Sequence, residues 1–221
     1  MKRRALTGAI LVAAILAAFW AGPWTTLALF GALAAVGIFE LANMLALQAP
    51  LGRSRSLLAF AAGLLWIAAP MLGVAAMVAC YGPALATAWF LLIWTQDTGA
   101  YLSGKTLGLG RRKMWPRYSP GKTWEGWAGG TVLTLIIALQ LPAWFPAAGL
   151  CTSDWLCLAV IIAVFGTLGD LLESVVKRRC KVSDSGNLLP GHGGVLDRFD
   201  AVFLALPLSL VYLFSCPVLS P

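Results

Sequence analysis

Several acidic residues of this chain stand at spacings that place their carboxylates on a shared helix face. Side chains three and four residues apart lie on one side of an α-helix. One such stripe runs through Asp170, Glu173, Ser174 and Lys177, and a second pairs Asp197 with Asp200. Two facing carboxylate helices suit a hard divalent cation such as Mg²⁺, which leaves coordination positions for phosphate oxygens. The spacing therefore predicts a site for a metal ion and a phosphorylated ligand, centred on Asp170, Asp197 and Asp200.

Basic residues and glycines cluster beside these acids. The segment GHGGVLDRFD, residues 191–200, places three glycines around His192, the only histidine of the chain. Glycines let backbone N–H groups approach a phosphate closely, and Arg198 adds positive charge. Because His192 has no Ser or Cys partner in a nucleophile setting, we do not assign it as a catalytic base.

A second glycine-containing segment matches a nucleotide-binding pattern by chance. GAYLSGKT, residues 99–106, satisfies GxxxxGK[ST], but that pattern requires a strand before the loop and a helix after it. Here a bilayer-length apolar run precedes the segment, and Gly and Pro interrupt the residues after it. We therefore expect no phosphate-binding loop of this type.

The elements that position these residues are membrane helices. The 221 residues are 60% hydrophobic and 11% charged, and the mean hydropathy is +0.83. Residues 56–96, 126–153 and 201–221 contain no Asp, Glu, Lys or Arg, and about 20 apolar residues suffice to cross a bilayer as a helix. We predict an all-α polytopic membrane protein with seven transmembrane helices, near residues 5–21, 25–47, 57–80, 84–103, 126–145, 154–176 and 201–218.

The distribution of basic residues orients these helices. All 16 Lys and Arg residues lie in segments 2–4, 48–56, 104–125 and 177–200. The positive-inside rule places these segments in the cytoplasm and the C-terminus outside. The first 22 residues have the basic head and apolar run of either a cleaved signal or a retained helix, and the many later spans favour retention. We treat the chain as one domain, residues 1–221, with N-terminal helices in 1–83 and catalytic helices and loops in 84–221.

Charges inside membrane helices are costly and usually mark a site or a pathway. The acids gather near the cytoplasmic helix ends, in one layer formed by Asp97, Asp170, Glu173, Asp197 and Asp200. Glu40, about two turns inside the second span, would either line the cavity or hydrogen-bond Asn43 or another helix. We expect Asp154 to be structural, paired with basic neighbours.

The same segments resemble a known family. ESVVKRRCKVSDSGNLLPGHGGVLDRFD, residues 173–200, is similar to the signature of phosphatidate cytidylyltransferases, the CDP-diglyceride synthases. DTGAYLSGKTLG (97–108), SPGKTWEG (119–126) and GDLLES (169–174) agree with further blocks of that family. The resemblance covers roughly the C-terminal 60% of the chain. One departure is Ser183, which stands where the family usually has Lys, with Lys181 two positions earlier.

The resemblance implies transfer of CMP from CTP to phosphatidic acid, with release of pyrophosphate and a requirement for Mg²⁺. It implies Asp170, Asp197 and Asp200 as metal ligands and, with Lys177, as the catalytic set. The substrate-binding residues it implies are Asp97, Ser119, Lys122, Thr123, Ser174, Arg178, His192 and Arg198. Asp97 would either ligate metal or orient Lys105 or Lys122.

The expected partners are CTP, phosphatidic acid and membrane lipids, with no nucleic acid and with a homodimer as an open alternative. The expected location is a bacterial inner membrane, with the site facing the cytoplasm. Two other CTP-using lipid enzymes stay as alternatives: a CTP-dependent lipid kinase and a cytidylyltransferase for an ether lipid. A small transporter is the rival from another class, but its charges would lie near the bilayer midplane.

Overall fold

The computed structural model describes residues 2–46, 53–106, 112–186 and 193–216. The helices are α1 (Lys2–Ala21), α2 (Pro23–Ala46), α3 (Arg53–Thr106), α4 (Trp124–Trp144), α5 (Thr152–Ile161), α6 (Thr167–Arg179) and α7 (Leu196–Ser215). Two short antiparallel strands, β1 (Lys113–Trp115) and β2 (Ser119–Thr123), lie between α3 and α4. A short 3₁₀ turn, Pro146–Ala148, follows α4.

Helix α3 is a hairpin of two arms. Gly82 has φ 82° and ψ 167°, which divides α3 into a first arm, residues 53–81, and a second arm, residues 83–106. Glycine adopts positive φ without steric cost. Both arms reach the same part of α7: a side chain at Gly73 would meet Leu206 at 3.2 Å, and Trp89 Nε1 donates to Ser209 Oγ at 2.9 Å. A straight helix would separate positions 73 and 89 by about 24 Å, so the chain turns back at Gly82.

Five helices in the described ranges are long and apolar enough to cross a membrane. They are Pro23–Ala46, Phe60–Thr106, Trp124–Trp144, Thr152–Arg179 and Leu196–Ser215. Thr7–Ala21 is a shorter apolar helix. The chain is therefore an all-α membrane protein, as the sequence predicts. The count of five treats the whole of α3 after residue 60 as one helix, so it does not decide between five and seven crossings.

A π-helical segment, Ile162–Gly166, joins α5 to α6 in one continuous rod. A π-turn closes its hydrogen bonds one residue further along the chain than an α-turn, which leaves local carbonyl groups without their usual donor. The indole Nε1 of Trp127 donates to the carbonyl of Ala163 at 2.8 Å. This bond from α4 stabilises the irregular turn.

Glycines let α3 and α4 pack at close range. A Cβ built on Gly130 would lie 2.7 Å from the carbonyl oxygen of Gln96 and 2.8 Å from the backbone nitrogen of Ala100. A Cβ on Gly126 would lie 2.8 Å from the carbonyl oxygen of Ala100. Small residues at helix contacts are a common way to pack helices in lipid, where burial of apolar surface gives little driving force.

A cluster of aromatic side chains lies within the buried core of the bundle. Phe90 of α3 makes edge contacts with Phe19 of α1 and Phe30 of α2, with ring centroids 5.2 and 5.9 Å apart. Phe30 also contacts Phe199 of α7 at 5.8 Å. Edge-to-face pairs at such distances are favourable, and these four rings join the N-terminal helices to the helices that carry the acidic residues.

Three details differ from the sequence prediction or resolve it. The strands β1 and β2 fall within a segment predicted as an irregular loop. Helix α7 begins at Leu196 rather than near residue 201, which puts Asp197 and Asp200 inside the helix. Residues 99–106 lie in α3, so the rejection of the phosphate-binding loop is confirmed.

Asp154 is structural, but the partners predicted for it were wrong. Its carboxylate accepts from the backbone and thiol of Cys151 and from Tyr212 Oη at 2.9 Å. It therefore joins α5 to α7 through neutral donors rather than through Lys or Arg. Position 154 lies at the opposite end of the α5–α6 rod from the predicted site.

Candidate functional site

Three carboxylates meet where α6 packs against α7. One oxygen from each of Asp170, Glu173 and Asp200 lies within 4.8 Å of the other two. The backbones approach closely because position 169 is glycine: a Cβ there would lie 2.3 Å from the carbonyl oxygen of Asp200. The helical stripe predicted from spacing is thus confirmed, and it faces the first turns of α7.

Lys177 connects this group of three carboxylates to a fourth carboxylate, that of Asp197. Its ammonium contacts Glu173 Oε2 at 2.7 Å, one helical turn away, and also pairs with Asp197 Oδ1. Glu173 is 1% exposed, and its Oε1 has no hydrogen-bond partner within the described ranges. One cation therefore serves two carboxylates and leaves an oxygen of Glu173 uncompensated.

Asp197 is held by donors on its other oxygen. Asp197 Oδ2 accepts from the backbone nitrogens of Ser185 and Gly194, at 3.0 and 2.9 Å, and from Ser185 Oγ at 3.0 Å. With Lys177 on Oδ1, both oxygens of this carboxylate are engaged. Asp197 therefore positions Lys177 and the described residues that precede α7, 185–186 and 193–195, which we call the turn before α7. Glu173 belongs instead to the group of three carboxylates that it forms with Asp170 and Asp200.

Glu40 reaches the same turn from α2. Its Oε1 accepts from the backbone nitrogen of Val195 at 2.9 Å, and its Oε2 accepts from Leu196 N at 3.1 Å and Ser185 Oγ at 3.0 Å. A carboxylate at a helix N-terminus is favoured by the unpaired N–H groups and by the helix dipole. Of the two roles predicted for Glu40, hydrogen bonding to another helix is confirmed.

The β-hairpin brings a second lysine to the carboxylates. Lys122 of β2 forms an ion pair with Asp170 Oδ2. The next residue, Thr123, is the N-cap of α4, where its Oγ1 accepts from Gly126 N at 3.1 Å. Because β2 runs directly into this cap, the start of α4 fixes the direction in which Lys122 approaches α6.

A cavity of about 390 Å³ lies between the second arm of α3, β2, α4 and α6. This volume falls within the usual range for small-molecule sites. Its polar lining includes Asp97, Lys122, Thr123, Asp170 and Gln96. The cavity therefore opens onto the Lys122–Asp170 pair, at the edge of the carboxylate group.

The donor set fits a hard divalent cation. Carboxylate oxygens are the ligands that Mg²⁺ prefers in proteins. In the site, four carboxylates, those of Asp170, Glu173, Asp197 and Asp200, lie around the ammonium groups of Lys122 and Lys177. Like charges at such range repel, and the free Oε1 of Glu173 shows where compensation is missing. A cation held by Asp170, Glu173 and Asp200 would supply it.

The other predicted residues lie around this centre. Ser174 Oγ is 3.4 Å from Asp170 Oδ1, and Ser119 begins β2. Arg178 donates to the carbonyls of Tyr118 and Val182 at 3.4 and 3.3 Å, so it holds the hairpin against the end of α6. Arg198 is exposed on α7.

Asp97 interacts electrostatically with Lys122, Asp170 and Arg198. Its lysine neighbour in the site is thus Lys122. Lys105, the other lysine considered for Asp97, instead lies over the ring of Tyr101 at 5.7 Å. His192 and Gly191 lie outside the described residues, whereas Gly193 and Gly194 of the same segment lie within them.

Sequence reasoning missed three contributors. Glu173 was recognised as part of the stripe but not as a member of the carboxylate group with Asp170 and Asp200, although its spacing of three from Asp170 is the signal that could have assigned it. Ser185 was not assigned, and for Glu40 hydrogen bonding to another helix was predicted without the partners that the structure shows. Their partners stand 145 and 155 residues apart in the chain, and helical spacing carries no information about such contacts.

Fold and site together define a helical membrane protein with a polar centre of carboxylates and lysines at one end of its bundle. Residues 53–216 match the sequence model of the cytidylyltransferase family. The chain belongs to this family, because the match covers well over half of its length.

Curated relatives agree with this assignment. The phosphatidate cytidylyltransferase of Bacillus subtilis is 49% identical over 129 residues, which cover 57% of this chain and 46% of the relative. The phosphatidate cytidylyltransferase of Staphylococcus aureus is 47% identical over 128 residues, covering 57% and 47%, and that of Staphylococcus saprophyticus is 45% identical over 126 residues, with the same coverage. The chain spans about half the length of the curated relatives it matches.

Proposed function

We propose that this protein transfers CMP from CTP to phosphatidic acid, forming CDP-diacylglycerol and pyrophosphate, with Mg²⁺ as cofactor. The observation that carries the proposal is the group of Asp170, Glu173 and Asp200 between Lys122 and Lys177. Two polyanionic substrates must be brought together in this reaction, and the site offers both a cation-binding group and basic side chains. The names of the relatives support the choice of substrates.

The residues act by positioning and by charge. A phosphate oxygen of the lipid attacks the α-phosphorus of CTP, the bond from that phosphorus to the β-phosphate breaks, and pyrophosphate leaves. A phosphate monoester already carries about −1.5 to −2 charges near neutral pH, so no strong base is required. When bound, a divalent cation would neutralise phosphate charge and help align the reacting groups.

In this proposal the basic side chains contact the phosphates from several elements. Lys122 and Lys177 approach from β2 and α6, and Arg178 and Arg198 add charge at the rim. Asp97 orients Lys122 from the cavity wall. Polar contacts to CTP or to the lipid phosphate come from Ser119, Thr123, Ser174 and His192. In this proposal Glu173 is the third carboxylate ligand of the metal ion, beside Asp170 and Asp200. Asp197, which was proposed from sequence as a metal ligand, acts instead by positioning Lys177.

We also propose seven membrane crossings, with the site on the cytoplasmic side of a bacterial inner membrane. Each arm of α3 exceeds the roughly 20 residues that a crossing needs, and the turn at Gly82 supports two crossings by this helix. α1 adds another. The lysine-rich and arginine-rich segments then share one side, as the positive-inside rule requires. The acyl chains of the substrate would stay in lipid while its headgroup meets CTP. A homodimer stays a prediction.

The test is conversion of labelled CTP and phosphatidic acid by purified protein in detergent with Mg²⁺. We expect CDP-diacylglycerol and pyrophosphate from the wild type. Asp200→Asn keeps the shape of the side chain and removes its charge, so we expect at least a 100-fold loss of kcat, about 2.7 kcal/mol of transition-state stabilisation. Titration with Mg²⁺ should show weaker activation of any residual rate.

Asp154→Asn is the matched control, because it makes the same substitution at the opposite end of the α5–α6 rod. Its turnover per folded molecule should stay within threefold of wild type. Absence of CDP-diacylglycerol from folded wild-type protein would overturn the proposal. Phosphorylation of a lipid acceptor with release of CDP would instead indicate a CTP-dependent kinase.

A further inference from the structure

The turn before α7 is fixed by a carboxylate from a distant helix. Glu40 is 5% exposed, and its three hydrogen bonds go to Ser185, Val195 and Leu196. The first of these residues precedes segment 187–192 and the other two follow it. One side chain of α2 therefore ties together both flanks of that segment.

Two glycines of this turn pack directly against the Glu40 carboxylate. A Cβ built on Gly186 would lie 2.6 Å from Glu40 Oε1, and one built on Gly194 would lie 2.4 Å from Glu40 Oε2. Both distances are far shorter than a van der Waals contact. The two positions accept only glycine while the carboxylate occupies its place, so the fit involves the turn and the helix together.

Ser185 connects Glu40 to the reacting centre. Its Oγ lies 3.0 Å from Glu40 Oε2 and 3.0 Å from Asp197 Oδ2. A hydroxyl has one hydrogen to donate, so the two carboxylates share this donor. Asp197 in turn pairs with Lys177, which contacts Glu173. A continuous chain of polar contacts thus runs from α2 to the carboxylates of α6.

We propose that Glu40 is a positioning residue for nucleotidyl transfer, acting through Ser185 and Asp197 to aim Lys177 at the substrate phosphates. This inference rests on the proposed function. Glu40 touches no substrate in this role. It fixes the start of α7, and with it the distance between Asp197 and the end of α6. The expected consequence of its loss is slower group transfer by an enzyme that still folds and still binds CTP.

The test compares Glu40→Gln with Thr26→Val in the CTP assay and in thermal unfolding in detergent. Glutamine keeps the size of the side chain but turns an NH₂ group toward backbone N–H donors. Thr26 is a buried polar residue of the same helix whose hydroxyl bonds to the Ala18 and Gly22 carbonyls. Both substitutions therefore remove buried hydrogen bonds from α2, but only the first touches the turn before α7.

We expect Glu40→Gln to lower kcat at least 10-fold, with the KM for CTP within threefold of wild type and a melting temperature close to that of Thr26→Val. If Glu40→Gln is not recovered folded, Ser185→Ala removes the shared donor alone and should lower kcat in the same selective way. A kcat for both site variants no lower than that of Thr26→Val, or a loss confined to melting temperature, would overturn the inference while leaving the proposed function intact. Inactive wild-type protein would overturn both.

Discussion

Lys177 is the residue on which the charge balance of the site depends. It lies between Glu173 and Asp197 and is 13% exposed in its side chain. Removing one partner of a buried ion pair leaves an uncompensated charge, which costs about 3–5 kcal/mol. Here two carboxylates would lose the same cation.

We expect Lys177→Met to lower the melting temperature in detergent by several degrees and to lower kcat at least 100-fold. The double variant Lys177→Met with Glu173→Gln removes one of the stranded charges, so it should recover part of the stability without recovering activity. Thermal unfolding and the CTP assay measure the two effects separately. The matched control is Lys113→Met, because Lys113 is exposed on β1. A wild-type melting temperature for Lys177→Met would contradict the assigned charge balance.

At this scale the sequence predicts contacts along one helix and misses contacts between helices. Asp170, Glu173 and Lys177 were placed on one face because helical spacing is regular, and their mutual contacts follow from it. The Glu40–Ser185–Asp197 bridge depends on how α2 packs against the turn before α7. No spacing rule relates residue 40 to residue 185, so only the folded structure identifies this bridge.

Among the elements, α3 and α4 form the wall of the cavity, and glycine sets their separation. Gly99 of α3 also packs against Gly130, with a built Cβ 3.0 Å from the Gly130 Cα. A methyl group on either helix would meet backbone atoms, which cannot move aside as a flexible side chain can. The distance between these helices therefore determines the width of the cavity.

We expect Gly130→Ala to destabilise the protein by about 1–3 kcal/mol, the usual cost of overpacking, and to raise the KM for CTP as the cavity wall shifts. Gly31→Ala in α2 is the matched control, because a Cβ there meets nothing within 4 Å, and alanine favours the helix over glycine. Melting temperatures in detergent and substrate titration give both readings. Equal stability of the two variants would show that the helices separate without cost.

Helices were predictable as elements because long apolar runs identify them, and each predicted run overlaps a helix within the described residues, although three runs extend past the helix end. The strands were not. β2 has the sequence SPGKT, in which a Pro and a Gly suggest a turn and no apolar alternation marks a sheet face. Its pairing with β1 is made by backbone groups, which leave little trace in the side-chain pattern.

On the scale of the whole molecule, the bundle has two chemically distinct ends. The carboxylates and lysines lie at one end, and the Asp154–Tyr212 contact lies at the other. In the proposed orientation, the exposed Cys151 faces away from the cytoplasm, and the exposed Gly121 of the hairpin faces the cytoplasm.

A membrane-impermeant thiol reagent tests this orientation. We expect it to label Cys151 in intact cells. A variant that lacks the native cysteines and carries Gly121→Cys should be labelled in inverted membrane vesicles and not in intact cells. A Cβ at position 121 meets nothing within 4 Å, so this substitution is tolerated sterically. Labelling of both positions from the same side would contradict the single crossing, by α4, that separates them in this orientation.

The π-helical turn at Ile162–Gly166 has a consequence for how this protein tolerates change over evolution. A π-turn contains one residue more than the α-turn it replaces, and one residue corresponds to about 100° of helical rotation. Loss of a single codon within it would therefore restore a regular helix with the Asp170–Glu173 face still toward α7, whereas loss of one codon from the regular α-helical part of the rod would rotate that face by about 100°. The π-turn is thus the point of this rod at which a one-residue change of length leaves the site in register.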